Sequence, residues 1–518
     1  MKSTRRLMLA SLLALFSTQA ISAATRVGAT MTDRQAARAA GRDEGLGQLK
    51  RYVEELMRRL PVVPGLAVAV VRGDRIIFTA GFGLRDVKAG LPVTPQTAFY
   101  IASTTKSFTG TAAKMLAAEG KLDLDVPIKT YFPNLVLKPP LSTEQLSLRD
   151  LLTHRSGINN EPIVFRTAYT GQYDAETILG LLSNHSSAVS PIFRYSNLGY
   201  IIAAYAMEKA AGESWQRIIE RRILEPLGMT ATSGYASKIK ASADYAHPYL
   251  AESGTFTELP YKQDNTMHAA GGMASSAEDL AKWLIVNMNE GRYEGKQVIP
   301  AAALEEILSP QIDQKRSFYK FERYAYSLGW NIGTYEGEKL IHCFGEFPGF
   351  RPHVSFMPAQ KIGVVVLANE SRDAFLLPDL IACDIYDHLL RKQPLRVASN
   401  PKVEEFAANL QKSREERAAK AAAKESGREK GMPALPLSAY AGVYQHPEYG
   451  QIKIEVDQGS LVASFGNLSA KLRYYGREAF DAAFIPGQDF KLVFQAEQPK
   501  GVTGVNMMGK VFTRLAPS

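Results

Sequence analysis

The distribution of β-rich segments along the chain constrains its fold more than any other feature. Near the N-terminal end, two runs of β-branched and aromatic residues flank Gly73 and Asp74, a pair typical of a hairpin turn. Four further runs of this kind lie much later, at residues 326–332, 339–344, 354–357 and 362–369. The intervening residues 98–300 carry mainly helical and loop patterns. The sequence therefore predicts an α+β domain whose sheet is completed by strands from its C-terminal end.

The chain changes character twice after the last of these β-rich runs. Residues 401–431 hold eight basic and six acidic residues, a pattern typical of a charged helical linker, which we place at residues 401–432. In residues 433–518, short alternating runs separated by glycine turns leave room for about eight strands. This spacing predicts a small antiparallel barrel or sandwich as a second domain, after a first domain at residues 25–400.

The first 24 residues have the pattern of a secretory signal peptide. Lys2, Arg5 and Arg6 precede an apolar run at residues 7–16, and small residues follow it. The apolar run is too short to span a bilayer, and no later stretch is predicted to cross a membrane. We therefore expect a periplasmic or secreted protein. The arginine pair leaves open whether export follows the general or the twin-arginine route.

Composition and charge narrow the range of partners. A net charge of +9 over 518 residues is too dilute for a nucleic-acid-binding surface, so no nucleic-acid partner is expected. The eight histidines show no metal-ligand spacing, and neither a metal nor another cofactor is expected. Two cysteines, Cys343 and Cys383, provide no disulfide framework, although a single bridge between them stays open. A small-molecule or peptide substrate is expected, and oligomerisation stays open.

A Ser-x-x-Lys motif at Ser103 is the first indication of chemistry. The pattern occurs four times in the chain, but only at Ser103 does it stand just before a long apolar helix pattern. Residues three apart share one face of a helix, so the amine of Lys106 is expected beside the hydroxyl of Ser103. A desolvated lysine has a lowered pKa and can take the proton from an alcohol nucleophile. The backbone N–H of Ser103 would then face an oxyanion.

A second motif, Tyr195-Ser196-Asn197, also stands before an apolar helix pattern. A tyrosine beside a lysine ammonium ionises more easily and can relay protons. An asparagine amide can hold both Lys106 and a substrate carbonyl. Together the two motifs predict an active site assembled from two distant segments.

Several further stretches carry a family resemblance. Besides "ASTTKSFT" and "YSNLGY", the chain contains "LRDLLTHRSGI", "EPLGMTAT", "AAGGMASSAEDLAKW", "YSLGW" and "FGEFPGF", in the order expected of one family. The chain resembles the serine β-lactamase and penicillin-binding-protein superfamily, in the branch of class C β-lactamases, D,D-peptidases, D-aminopeptidases and related esterases. The resemblance covers roughly residues 45–390. It implies an antiparallel sheet flanked by helices, with a helical subdomain, and the C-terminal segment resembles the lipocalin-like barrel of some of these hydrolases.

The resemblance also implies roles for the residues of the first two motifs. Ser103 would be the acylated nucleophile, Lys106 and Tyr195 the proton-transfer pair, and Asn197 a substrate-orienting amide. A second oxyanion N–H would come from the strand edge near Gly345–Glu346. The histidine of "LLTHRSG", His154, would order a loop through hydrogen bonds.

The third motif of the family departs from its usual form in this chain. Relatives carry Lys-Thr-Gly or His-x-Gly on the strand that borders the site, whereas an ungapped alignment here places Cys343 at the Lys or His position. Neighbouring strand residues face opposite ways, so Cys343 faces the site unless a bulge turns His342 into it. We favour Cys343, because it needs no irregularity. A thiol offers no positive charge to a substrate carboxylate. Arg351 either replaces that charge or is a surface arginine, and the sequence leaves both alternatives open.

Three functions follow from these motifs. The first is an exported serine hydrolase that cleaves an amide bond in a β-lactam, a D-amino-acid-containing peptide or another small peptide. The second is a carboxylesterase with the same catalytic residues, which the uncharged Cys343 favours slightly. The third is a slowly deacylating, penicillin-binding sensor protein. The role of the C-terminal barrel stays open in all three.

Overall fold

The computed structural model describes residues 47–185, 187–188, 192–252, 254–485, 487–497 and 501–516. The chain divides into two compact units, residues 1–56 and 57–518. The described part of the first unit, residues 47–56, is helical, within a helix α1 at residues 47–59. The signal-peptide prediction for residues 1–24 lies outside the described residues.

The large sheet of the second unit joins strands from both ends of the first predicted domain. Three come from its N-terminal part: β1 (Gly65–Arg72), β2 (Arg75–Asp86) and β3 (Leu91–Pro92). Six come from its C-terminal part: β4 (Ile312–Phe318), β5 (Phe321–Tyr326), β6 (Asn331–Tyr335), β7 (Glu338–Phe344), β8 (Arg351–Met357) and β9 (Ile362–Ala368).

All neighbours in this sheet are antiparallel. Within the described chain, its nine strands follow the order β4-β5-β6-β7-β8-β9-β1-β2-β3. The two sets meet where β1 pairs with β9, with Leu66 opposite Ala368. Both strands are apolar on both faces, which is typical of a central position with helices on each side. The α+β prediction is confirmed.

The predicted strand at residues 326–332 is partly wrong. Strand β5 ends at Tyr326, β6 begins at Asn331, and a turn separates them. Gly329 in this turn has φ +98°, and a Cβ there would lie 2.3 Å from the carbonyl oxygen of Lys106. The turn therefore packs directly against the helix that contains the Ser-x-x-Lys lysine, and only glycine permits that approach.

Four longer helices complete the first domain: α2 (Thr105–Ala118), α3 (Leu198–Ala211), α4 (Ala277–Met288) and α5 (Leu377–Arg391). Shorter ones lie between them at Leu148–Leu152, Glu161–Phe165, Ala175–His185, Trp215–Ile219, Glu225–Leu227, Ala236–Ala241, His268–Gly271 and Ala301–Ile307. Helix α2 is buried from Thr105 to Ala113, and the rings of Phe108 and Trp283 stack 4.3 Å apart between α2 and α4. Burial on all sides fixes the position of α2.

The charged segment forms one long helix, α6 (Pro401–Ser426). It is held along its length by ion pairs rather than lying free. Lys402 contacts Asp384 at 2.6 Å and Asp387 at 2.8 Å, while Arg414 and Arg417 both pair with Asp373. Because these ion pairs form a network, α6 is fixed to the first domain at several points and is not a flexible linker.

The C-terminal segment is a closed barrel of eight strands among the described residues. The strands are β10 (Gly442–His446), β11 (Gly450–Asp457), β12 (Ser460–Phe465), β13 (Leu468–Gly476), β14 (Ala479–Ile485), β15 (Gln488–Glu497), β16 (Gly501–Met507) and β17 (Lys510–Arg514). Strands β10 and β17 close it, with Tyr444 opposite Arg514. Of the two predicted alternatives, the barrel is correct.

Polar side chains of the first domain contact the barrel through hydrogen bonds to the barrel's backbone. Arg166 donates from Nε to the carbonyl oxygen of Glu448 at 2.6 Å. Gln172 exchanges two hydrogen bonds with the backbone of Gln451, at 3.0 and 2.9 Å. In the part of the chain that the structure covers, no helix has the length and apolar character needed to cross a membrane.

Candidate active site

Ser103 stands in a strained turn at the start of α2. A short strand, Phe99–Tyr100, pairs with Ala274–Ser275 and leads into a 3₁₀ turn at Ala102–Thr104. Ala102 has φ +44°, an uncommon conformation for a residue with a side chain. Such strain persists only where the surroundings over-determine it, and it recurs at active sites. The turn presents Ser103 to the cavity described below.

The amine of Lys106 lies beside the hydroxyl of Ser103, as the helical spacing predicts. Its Nζ is 3.1 Å from Ser103 Oγ, and it donates to Asn197 Oδ1 and the carbonyl oxygen of Ala270, both at 2.7 Å. Lys106 is almost wholly buried, and this burial lowers its pKa to about 7. A neutral amine has two N–H bonds and one lone pair. The two shorter contacts occupy the N–H bonds, so the lone pair faces Ser103.

Tyr195 approaches Ser103 from the other side. Its hydroxyl donates to Ser103 Oγ at 2.8 Å, and its ring centroid lies 4.8 Å from Lys106 Nζ. Although the residue is 43% exposed, desolvation by its surroundings raises the pKa of the phenol. This differs from the expectation that a neighbouring ammonium makes Tyr195 ionise more easily. The phenol therefore keeps its proton near neutral pH, whereas the amine of Lys106 can lose its own.

His154 holds the loop that carries Tyr195. Its Nδ1 accepts a hydrogen bond from the N–H of Ser196 at 3.2 Å, and its carbonyl oxygen accepts one from the N–H of Arg194 at 2.9 Å. The rings of His154 and Tyr195 lie 4.5 Å apart. Burial lowers the pKa of His154 well below its ordinary value, which keeps Nδ1 free to accept. His154 therefore orders the loop, as predicted.

On strand β7, Cys343 faces Ser103. Its Sγ lies 3.4 Å from the carbonyl oxygen of Ser103, and its own carbonyl oxygen accepts from Thr104 Oγ1 at 3.1 Å. Burial raises the pKa of the thiol to about 12, so this position carries no charge. Cys343 and Cys383 are both free thiols.

His342 points to the opposite face of the sheet. Its ring stacks on that of Phe344, 4.1 Å away, and its Nε2 accepts from Arg323 Nε at 3.3 Å. The pairing of β7 with β8 runs in regular register through this point, without the bulge that would turn His342 inward. The structure therefore does not bring His342 into the site.

Arg351 is also absent from the site, contrary to expectation. It is buried, with Nη2 2.9 Å from Asp379 Oδ2 and Nε donating to the carbonyl oxygen of Phe375 at 2.8 Å. Its Nη1 donates to the carbonyl oxygen of Gly345 at 2.6 Å. A guanidinium committed to these three acceptors has no free edge for a substrate carboxylate. Arg351 therefore does not take the place of the lysine or histidine that relatives carry in the third motif.

The contact from Arg351 instead sets the direction of a peptide group at the site. The Gly345–Glu346 peptide is trans and planar, so its N–H points opposite to its carbonyl oxygen. Fixing the oxygen of Gly345 on Arg351 therefore turns the N–H of Glu346 away from Arg351. The N–H of Gly345 itself donates to the carbonyl oxygen of Pro352 at 3.1 Å. Gly345 packs tightly here, since a Cβ would lie 2.5 Å from the carbonyl oxygen of Ile101.

Ser103 and Asn197 open into a cavity of about 400 Å³. The first domain supplies aromatic and apolar walls and the side chains of Glu346 and Arg372. The barrel closes one side with Ile485, Gly487 and Gln488, at the turn between β14 and β15. Motif spacing gave no signal for these three residues, because they reach the cavity only through the docking of one domain on the other. No group of metal-ligating side chains occurs among the described residues.

The chain belongs to the Beta-lactamase family, whose model matches residues 49–382. Residues 427–511 match a second family, described as a domain of unknown function (DUF3471). These two matches cover the mixed helix-and-sheet domain and the barrel.

Similar proteins span most of the chain. The Unguisins hydrolase ungD of Aspergillus violaceofuscus (strain CBS 115571) is 26% identical over 436 residues, which cover 79% of this chain and 76% of that protein. The octameric penicillin-binding protein homologue from Pyrococcus abyssi superposes with a TM-score of 0.59 at 24% identity, covering 90% of this chain and 98% of its own. The D-amino acid amidase from Ochrobactrum anthropi SV3, complexed with D-phenylalanine, gives 0.55 at 22%, covering 67% and 99%. The two structural likenesses show a shared fold.

Proposed function

We propose that this protein is an exported serine hydrolase that cleaves an amide bond of a small substrate through an acyl-enzyme on Ser103. One observation carries the proposal: Ser103 Oγ lies between a lysine amine with a pKa of about 7 and a protonated tyrosine hydroxyl, at 3.1 and 2.8 Å. Such a site holds a base that loses its proton near neutral pH and an acid that keeps its proton there.

Acylation follows from these positions. Ser103 gives its proton to Lys106 and attacks the carbonyl carbon, whose oxygen takes the negative charge. We assign that oxyanion to the N–H groups of Ser103 and Glu346. The C–N bond then breaks, and the leaving nitrogen takes the phenol proton of Tyr195. The ammonium of Lys106 restores that proton, so the serine proton ends on the leaving amine.

Deacylation runs the same transfers with water as the nucleophile. A water molecule attacks the ester carbon of the acyl-enzyme and gives its proton to Lys106. The bond between the acyl carbon and Ser103 Oγ breaks, and Ser103 recovers its proton. Asn197 holds Lys106 throughout by its 2.7 Å contact and presents its amide to the cavity.

The site supports hydrolysis at Ser103 more strongly than it indicates which kind of bond is cleaved. The relative named a hydrolase supports hydrolysis, and the fold neighbour named an amidase favours an amide. A carboxylesterase is the second candidate, because the neutral Cys343 leaves the site without the cation that favours carboxylate-bearing peptides and β-lactams. Location in the periplasm or outside the cell rests on the signal-peptide pattern at residues 1–24.

A substrate panel tests the proposal. Nitrocefin, p-nitrophenyl esters and p-nitroanilides of D- and L-amino acids are offered to the wild type and to Ser103→Ala, and Ser103 is labelled with a fluorophosphonate followed by peptide mass analysis. We expect hydrolysis and labelling in the wild type only. Retained turnover in a folded Ser103→Ala protein would reject the nucleophile. A covalent adduct that persists without turnover would instead identify the acylated sensor.

A further inference from the structure

Glu346 places a carboxylate in the cavity that contains Ser103. It stands directly after the third motif and lines the same cavity as Ser103 and Asn197. Among the ion pairs and side-chain hydrogen bonds of the described residues, the carboxylate of Glu346 takes part in none. Partial burial raises its pKa, with Arg351 acting in the opposite direction. Glu346 is exposed where it lines this cavity, so its carboxylate is accessible to a charged group that a substrate brings.

The other charged groups near the cavity each make contacts within the chain. Arg372, the one further charged residue in the lining, donates to the carbonyl oxygen of Ala251 and lies 3.5 Å from a carboxylate oxygen of Glu252. Lys262 lies with its amine over the ring of Phe347, and burial lowers its pKa well below the ordinary value. With Cys343 neutral, the third motif brings no cation to the cavity, and the residue that follows the motif, Glu346, is an acid.

The catalytic groups indicate which side of the substrate Glu346 faces. A leaving group must lie toward Tyr195, which supplies its proton. The carbonyl oxygen must lie toward the N–H of Glu346, so the side chain of that residue is within reach of the acyl group. An amine on the carbon next to the scissile carbonyl is two bonds from the reacting carbon.

We propose that Glu346 is a specificity-determining residue that pairs with a free amine on the acyl group, so that the protein prefers substrates with an unblocked N-terminal amino acid. This inference rests on the proposed function. It reverses the charge preference of a site with lysine or histidine in the third motif. Substrates with a carboxylate at the same position are disfavoured by repulsion.

The test compares three p-nitroanilides of one amino acid, with a free, an acetylated or a succinylated amine, in both the D and the L series. In the wild type we expect kcat/KM for the free amine to exceed that for the acetylated substrate by about 10- to 100-fold, as a charge-assisted hydrogen bond gives. The succinylated substrate should be the poorest. This comparison needs no variant, so it does not depend on a mutant's folding.

The isosteric Glu346→Gln variant keeps the backbone N–H and removes the charge. We expect the ratio between free and acetylated amine to fall to about one, mainly through KM, since the lost contact is one of binding. Glu416→Gln, at an exposed position of α6, makes the same change of net charge and should keep the wild-type ratio. An unchanged ratio in Glu346→Gln, or no amine preference in the wild type, overturns the inference. Fluorophosphonate labelling of Ser103 in the same samples shows separately whether the proposed function holds.

Discussion

Arg351 and Asp379 form an ion pair at 2.9 Å whose two side chains are almost wholly shielded from solvent. The pair ties β8 to helix α5, and Asp379 also accepts a hydrogen bond from Nδ1 of His353 at 2.8 Å. Through its contact with the carbonyl oxygen of Gly345, Arg351 orients the peptide that carries the N–H of Glu346. Arg351, which the sequence suggested as a substrate contact, is thus linked to the site through this peptide instead.

Removing this anchor should lower turnover more than substrate binding. We expect Arg351→Met to reduce kcat by about 100-fold with little change in KM, because an oxyanion donor acts mainly on the transition state. It should also cost about 3–5 kcal/mol of stability, since the buried Asp379 carboxylate loses its cationic partner and keeps only its contact with His353. Steady-state kinetics and chemical unfolding measure the two effects.

The double variant Arg351→Met with Asp379→Asn separates the two roles. It removes both charges, so we expect most of the lost stability to return while kcat stays low. If kcat recovers together with stability, the pair serves folding alone and does not position the oxyanion donor.

The pKa of Lys106 predicts the pH dependence of acylation. Burial lowers this pKa to about 7, so the amine is protonated, and inactive as a base, below that pH. With a neutral ester as substrate, kcat/KM should rise about tenfold per pH unit below 7 and level off above it. The rate of fluorophosphonate labelling should follow the same curve. A flat profile between pH 5 and 9 would exclude Lys106 as the base.

The role of Tyr195 as a proton donor predicts a dependence on the leaving group. Tyr195→Phe should lower kcat/KM for an alkyl amide by about 10²- to 10⁴-fold, because an amine leaves poorly without a proton. The loss for a p-nitrophenyl ester should be much smaller, since nitrophenolate leaves without protonation. Equal losses for both substrates would mean that Tyr195 only orders Ser103. His154, which holds the tyrosine loop, offers a comparison: its substitution should affect both substrates alike.

The contact of the barrel with the cavity can be tested at Gly487. Its φ is +80°, and a Cβ there would lie 2.8 Å from a methyl carbon of Leu250 and 3.0 Å from Arg372 Nη1. Gly487→Ala should shift the turn and lower kcat/KM about tenfold for substrates long enough to reach it, but not for p-nitrophenyl acetate.

Gly459 provides the matched control for this prediction. It lies in another barrel turn with φ +73°, and a Cβ would meet nothing within 4 Å. Gly459→Ala therefore carries a similar backbone strain, about 1 kcal/mol, without the contact. If both variants show the same kinetics, the barrel does not shape the cavity.

Much of the fold could be predicted because it depends on local patterns. The hairpin at Gly73, the strands of the C-terminal part and the barrel all follow from alternation and turn residues close together in sequence. Strand β4 escaped prediction because a strand at the sheet edge needs no apolar face, and its residues are mostly polar. The turn at Gly329 that separates β5 from β6 could not be predicted from local sequence. It packs against the carbonyl oxygen of Lys106, which lies more than 200 residues away in the chain.

The sequence by itself determined which residues can pass protons, since Ser103 and Lys106 are brought together by one turn of helix. It also determined that a thiol replaces a cation at position 343. Only the tertiary structure decided that the pKa of Lys106 is lowered and that of Tyr195 raised, because burial by distant elements causes both shifts. Packing likewise removed Arg351 from the cavity and brought Gly487 to it. Spacing along a chain fixes neighbours on one element, whereas solvent exclusion and contacts between elements exist only once the chain is folded.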